Sequence, residues 1–274
     1  MKVLVPVDFS KASARALQYS AQVFKAGEAE LILLHSFVPL QGGFFDETTE
    51  EEENLLERQQ LQTRLQHWAE RFNTKKLPIA RYEVVEGTPA RTIVALARKQ
   101  GVDLILMGTT GASGLREKLV GTTTAHVVHR APCPVLAVPE RYRVAALKNI
   151  LFCTDYHFED LQALRWLQQW PAAHRAHLHI VHFSNERAAA KEAVLQRDYE
   201  AVVKQVVGND RVHVEVLPFE DFHVDLQKLS RRTSADLLVM MQRRRRWWQL
   251  LLEASHTRKV VYHARIPILT FPAT

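Results

Sequence analysis

Gly108-Thr-Thr-Gly111, nine further residues, then Gly121-Thr122-Thr123 form the stretch of this 274-residue chain best suited to hold an anion. Glycines let a backbone come close to a ligand, and hydroxyls at a helix start add donors to the free N–H groups there. The context fits a phosphate cradle: the apolar run Leu104–Met107 enters it, a helix is expected from Thr122 to His129, and Pro132 stops that helix. No Gly-Lys-Ser/Thr follows, so this is not a Walker loop. The glycines are also too widely spaced for the dinucleotide fingerprint. Arg116 and Lys118 lie inside the nine-residue stretch, either reaching a terminal phosphate or facing solvent. A tight turn is the alternative use of the glycines.

Three more segments accompany the cradle. They are Lys2-Val-Leu-Val-Pro6-Val-Asp8-Phe-Ser10, Leu33-Leu34-His35-Ser36, and Ala131-Pro-Cys-Pro134-Val-Leu-Ala-Val. Together with Gly-x2-Gly-x9-Gly-Thr, they resemble the universal stress protein family over residues 1 to about 140. The resemblance implies an adenine nucleotide α-hydrolase-like α/β fold, an open parallel five-stranded sheet of strand order 3-2-1-4-5 flanked by helices. Strands one and four then meet where the order reverses, which is where open α/β sheets bind ligands. It further implies ATP, accompanied by Mg2+, as the ligand. Pro6, Val7 and the Ser36 backbone would flank the adenine, Asp8 would accept from ribose hydroxyls, and Met107 would lie under the sugar or base. Gly108, Gly111, Gly121, Thr122 and Thr123 would hold the phosphates. From the residues alone, Asp8 equally suits a cap for a helix starting near Ser10, and Val7 and Met107 suit the core. No residue presents itself as a base for the terminal phosphate, so catalysis is left unassigned, with slow ATP hydrolysis as its upper bound. A scaffold that binds no nucleotide is the remaining alternative.

The elements that must position these residues alternate. Val3–Val7 is a continuous apolar run of the kind a parallel sheet buries on both faces. Ser10 can cap a helix with the stripe Ala14, Leu17, Ala21 and Phe24, ended by Gly27. Leu31–Leu34 is the second strand. Thr48 or Thr49 with Glu51 or Glu52 makes a capping box for a helix to about Asn73. Tyr82–Val85 is the third strand, Thr88-Pro89 opens the next helix, Gly101 closes it, and Val135–Val138 is the last strand. Strand and helix in alternation imply parallel pairing with right-handed crossovers.

The plan then repeats. Leu4–Phe9 aligns with Leu151–Tyr156 and Leu33–His35 with Ile180–His182 at an offset of 147, whereas Asp103–Met107 aligns with Asp236–Met240 and Pro134–Leu136 with Pro267–Leu269 at 133. Two tandem α/β domains are expected, residues 1–140 with the intact motif and 147–274 with a degenerate one. In the second copy Met241, Arg244 and Ala254 replace Gly108, Gly111 and Gly121, leaving Asp155 and the hydroxyl of Ser255. Nucleotide binding is therefore expected in the first domain only. By resemblance, the last strands Val135–Val138 and Ile266–Phe271 pair the two domains within the chain, a homodimer being the other way to cover those edges.

Charge is uneven: residues 1–140 carry 16 basic and 16 acidic side chains of totals of 36 and 30, so the net +6 lies in the second half. Arg243–Arg246 followed by Trp247-Trp248 combines charge with stacking surface, but no nucleic-acid recognition fold accompanies it; an acidic partner such as the Glu47–Glu53 region is the preferred reading. Histidines 177, 179, 174 and 182 cluster in sequence, as do 126 and 129, without cysteine or carboxylate at ligand spacing, and no metal ligands are assigned. Cys133 and Cys153 read as small buried hydrophobes. With no apolar run long enough to span a bilayer and no signal sequence, a cytoplasmic protein without membrane association is expected.

Overall fold

The computed structural model describes residues 1–40, 47–73, 78–109, 122–143, 146–184, 189–208, 211–218, 220–242 and 266–272. The chain divides into two compact units, the first ending at Glu140. Among the described residues no helix is long and apolar enough to cross a membrane.

In the first unit β1 (Lys2–Pro6), α1 (Lys11–Val23), β2 (Glu30–Phe37), α2 (Glu47–Phe72), β3 (Ile79–Glu86), α3 (Pro89–Gln100), β4 (Leu104–Gly108), α4 (Thr122–Arg130) and β5 (Val135–Val138) follow one another. The strands lie in the order β3-β2-β1-β4-β5, each pair parallel. That order reverses between β1 and β4. Val3, Leu4 and Val5 are wholly buried, as are Leu104, Ile105 and Leu106, because helices cover both sheet faces. Leu4, Ile32, Ile105, Met107 and Val135 share one core cluster with Ile93, Ala97 and Val127 of α3 and α4. Each of these side chains larger than alanine contributes roughly 1.5–3 kcal/mol of burial.

The second unit repeats this with β6 (Asn149–Cys153), α5 (Phe158–Gln169), the short α6 (Pro171–His174), β7 (His177–Ser184), α7 (Ala189–Val207), β8 (Val212–Pro218), α8 (Phe222–Arg232), β9 (Leu237–Met241) and β10 (Ile268–Phe271). Its strands run β8-β7-β6-β9-β10, again parallel and again in the order 3-2-1-4-5. An aspartate pair carries the duplication into hydrogen bonding. Asp103 Oδ2 accepts from the Lys2 amide at 2.7 Å, and Asp236 Oδ2 accepts from the Lys148 and Asn149 amides at 2.9 Å. Both thus tie the start of the fourth strand to the start of the first.

Local signals behave unevenly. Ser10 caps α1, its hydroxyl accepting from the Ser13 amide at 3.2 Å, and Gly101 closes α3 in the left-handed conformation at φ +60°. The buried face of α1 differs from the expected stripe. Ala12, Ser13, Ala16, Leu17, Tyr19, Ser20 and Val23 are inside, while Ala14 is half-buried and Ala21 exposed, the helix lying against β1, β4 and β5. The helix ends at Val23 with Phe24 as its cap, so Gly27 (φ +82°) shapes the following turn instead of terminating the helix. α2 begins at Glu47, which places Thr48 and Thr49 inside its first turn and not at the cap. Both cysteines are buried, and burial pushes the Cys133 thiol up to about 12 and the Cys153 thiol also upward, leaving them inert as nucleophiles.

Candidate functional site

The carboxyl ends of β1 and β4 lie side by side at the strand-order reversal, the place where open α/β sheets bind ligands. The chain leaves β1 through Val7, whose amide donates to the Leu34 carbonyl at 2.8 Å, and Val7 itself is buried. Asp8 follows, half-buried, with Oδ1 accepting from the Ser10 amide at 3.1 Å. This is an Asx turn that leads into the capped α1, so the capping and ligand-reading uses of Asp8 share one geometry. Pro6 pairs with Leu34, and Ser36 with Val85; both are half-buried.

Phe9 turns the corner at φ +62°, a conformation that costs a bulky L-residue roughly 1–2 kcal/mol. Its ring is held by neighbours: His35 at 4.6 Å between centroids, Trp68 edge-on at 5.5 Å, and the Arg64 guanidinium 4.1 Å above it. His35 Nδ1 sits 2.6 Å from the Val7 carbonyl, which can only accept, so that nitrogen carries the proton. Residue type alone does not announce this corner. The one available hint was the repeat itself, in which Phe9 and Tyr156 align.

On the other wall, Met107 lies within the core at the end of β4. Gly108 faces α1 so closely that an added Cβ would stand 2.7 Å from the Ala12 carbonyl carbon and from its Cβ. Glycine is required at this position by helix contact, not by a left-handed backbone. The buried Thr124, in the first turn of α4, donates its Oγ1 proton to the Gly108 carbonyl at 2.9 Å, and the Thr109 amide donates to Val138 at 3.0 Å. The amino end of α4 is thereby fixed beside the end of β4, with Thr122 exposed and Thr123 half-buried upon it. Gly111, Arg116, Lys118 and Gly121 lie outside the described residues, as do Arg243–Arg246, Trp247, Trp248, Ala254 and Ser255 of the second unit. Pro6, Val7, Asp8, Ser36, Met107, Gly108, Thr122 and Thr123 are therefore the expected site residues whose places are known, all at the carboxyl ends of β1, β2 and β4 or at the start of α4.

The model of the universal stress protein family matches this chain twice, over residues 1–139 and 146–272. The chain is a tandem universal stress protein. Universal stress protein MJ0531 of Methanocaldococcus jannaschii is 33% identical to it over 145 residues, spanning 50% of this chain and 81% of that one. YxiE of Bacillus subtilis is 31% identical over 150 residues, 50% of this chain and 97% of its own. The crystal structure of a universal stress protein from Archaeoglobus fulgidus shares the fold over 99% of this chain and 98% of its own, with a TM-score of 0.66 at 19% identity.

In this universal stress protein the second unit keeps the corner. Tyr156 stands at φ +60°, its ring 4.5 Å from His182, whose Nδ1 lies 2.8 Å from the Thr154 carbonyl; Asp155 is 3.9 Å from the same nitrogen. The cap is built differently. The wholly buried Asp160 accepts from the Thr154 hydroxyl and from the His157 amide at 3.2 Å, a network where the first unit uses Ser10 and Ser13. Met241 ends β9 in place of glycine and is buried. The histidines 177, 179 and 213 gather with Glu215 on one side of β7 and β8, but among the described residues no group of three or more such ligands is arranged to hold a metal ion.

Proposed function

We infer that the protein is a nucleotide-dependent stress-response module whose first unit binds ATP and whose second unit does not. The observation that carries this reading is the juxtaposition of a half-buried aspartate after β1 with a glycine at the end of β4, at the point where the strand order reverses. The carboxylate is suited to ribose hydroxyls. The amino end of α4, anchored through Thr124 to Gly108, supplies N–H groups and the Thr122 and Thr123 hydroxyls to phosphate. Pro6, Val7 and Ser36 lie on the adenine side, with Gly111 and Gly121 completing the cradle by sequence. Magnesium would arrive with the phosphate oxygens, hydroxyls at the helix start being hard ligands of the right kind. Met241 in place of Gly108 is the reason to assign the site to the first unit alone.

Mass spectrometry of small molecules released from the denatured, freshly purified protein tests the reading, followed by titration calorimetry with MgATP. An adenine nucleotide and a stoichiometry near one per chain are expected. Two equal sites would refute the assignment to one unit, and absence of any binding would refute the reading as a whole.

A further inference from the structure

Both units make a left-handed aromatic corner, but the helix that precedes the third strand covers it with different chemistry. At the unit whose fourth strand ends in glycine, the Arg64 guanidinium is stacked on Phe9 with Trp68 edge-on beside it, both from α2. At the unit whose fourth strand ends in Met241, the ring that α7 packs on Tyr156 is Tyr199, at 5.1 Å. Phe9 directly follows Asp8, so the peptide between them sets where the Asp8 carboxylate is aimed.

We propose that Arg64 and Trp68, acting through Phe9, position Asp8 and so determine how strictly the first unit demands a ribose. This rests on the reading that the first unit binds an adenine nucleotide. The flanks of the Asp8–Phe9 peptide are already pinned: Val7 by Leu34 and His35, and Ser10 by its bonds to Asp8 and Ser13. Between those flanks the Phe9 ring depends on its packing, and a non-glycine residue at φ +62° persists only where its surroundings over-determine it. His35 closes one side of that ring; Trp68 and Arg64 close the others. Arg64 is exposed, so its stacking adds little to the core, and its influence falls on the orientation of the ring beneath it. Arg64 and Trp68 are positioning residues; neither needs to touch the ligand.

The test compares MgATP with the magnesium complex of 2′,3′-dideoxyATP by titration calorimetry on the full chain. Arg64→Gln removes the cation while keeping a good helix former at an exposed position, so folding is not at stake. Wild type should prefer ATP by about tenfold, the scale of a hydrogen bond to a charged acceptor. In Arg64→Gln the preference should fall to about threefold or less through weaker ATP binding, with dideoxyATP affinity and melting temperature unchanged, and Arg64→Lys should restore the wild-type ratio. An unchanged ratio in Arg64→Gln overturns the proposal, as does an equal loss for both ligands or a lysine variant that behaves like glutamine. A wild type that binds neither ligand overturns the underlying nucleotide reading instead.

Discussion

Gly108 and Met241 end the fourth strands of their units, and the helices above them have settled differently. α1 packs across β4 and β5, whereas α5 finds its main described partners in α6 and α7. Bare backbone at Gly108 lets α1 descend until Ala12 is in contact; a methionine at the same place needs room, and it is buried. The end of the second sheet is filled by aromatics instead, with Trp166 edge-on to Phe271 at 5.4 Å and 5.6 Å from the wholly buried Trp170. The two copies keep the frame of strands, the aspartate clamps at the strand starts and the left-handed corners, and they part at the carboxyl ends of the fourth strands.

The largest effect is expected when the first unit is given the second unit's residue. Gly108→Met must push α1 away from a backbone that already lies within contact of an added Cβ. Overpacking of this kind costs about 1–3 kcal/mol, and the displaced Thr124 anchor should take the cradle with it. A lowered melting temperature together with loss of MgATP binding by at least a hundredfold is expected in calorimetry. Wild-type affinity in a folded Gly108→Met protein would show that strand-end glycine is not what separates the units.

Next in size is the capping network of the second unit. Thr154→Val removes one donor to the buried Asp160 carboxylate, which should cost about 1–3 kcal/mol in urea unfolding. The corresponding position in the first unit is already Val7, and the cap there is the Ser10 hydroxyl accepting from the Ser13 amide, so Ser10→Ala should cost about 1 kcal/mol. Equal losses would mean that the two caps do not differ in kind.

Asp8 and Asp155 supply the third comparison. Asn at either position keeps an oxygen for the following turn, so stability should move little. Asp8→Asn should weaken MgATP by about tenfold through loss of a charged acceptor, while Asp155→Asn should leave it unchanged. Equal effects, or none from Asp8→Asn, would leave capping as the whole role of Asp8.

Much of this arrangement was legible in the chain because it rests on local or repeated signals. Continuous apolar runs marked β1, β4 and β5, Ser10 and Gly101 marked helix ends, and the aligned Asp103 and Asp236 marked equivalent strand starts. What escaped depends on distant partners. The requirement for glycine at 108 comes from Ala12, ninety-six positions earlier, and not from any dihedral preference. On α1 the expected stripe holds at Leu17 and Phe24, which are buried, but not at Ala14 and Ala21, because the face turned inward runs through Ala12, Ala16, Tyr19 and Val23 and is set by where the helix meets the sheet. Nothing in the type of Phe9 or Tyr156 suggests φ near +60°; that conformation is imposed by histidine and by residues of α2 and α7.

The smallest expected effect separates the units by pH. Ile32 on β2 is wholly buried, and the aligned position on β7 is His179, facing His213 on β8 with Glu215, His177 and Arg232 around it. Burial above all holds the His179 imidazole below its ordinary value of 6.5, with His213, His177 and Arg232 acting the same way and Glu215 opposing them. A histidine whose folded state resists protonation binds fewer protons than its unfolded counterpart, so stability rises with pH across the interval between the lowered value and 6.5. That contribution is complete at pH 7.5 and is progressively lost as the pH falls below 6.5. Because His179 is only partly buried, solvent screens the effect, and local opening is a better gauge than global unfolding. Hydrogen exchange at pH 7.5 and 5.5, corrected for intrinsic rates, should therefore show β7 and β8 amides losing protection in acid while β2 and β3 amides do not. His179→Ile, which installs the first unit's residue, should erase the difference; parallel behaviour of both sheets in the wild type would mean that this substitution carries no pH sensitivity into the second unit.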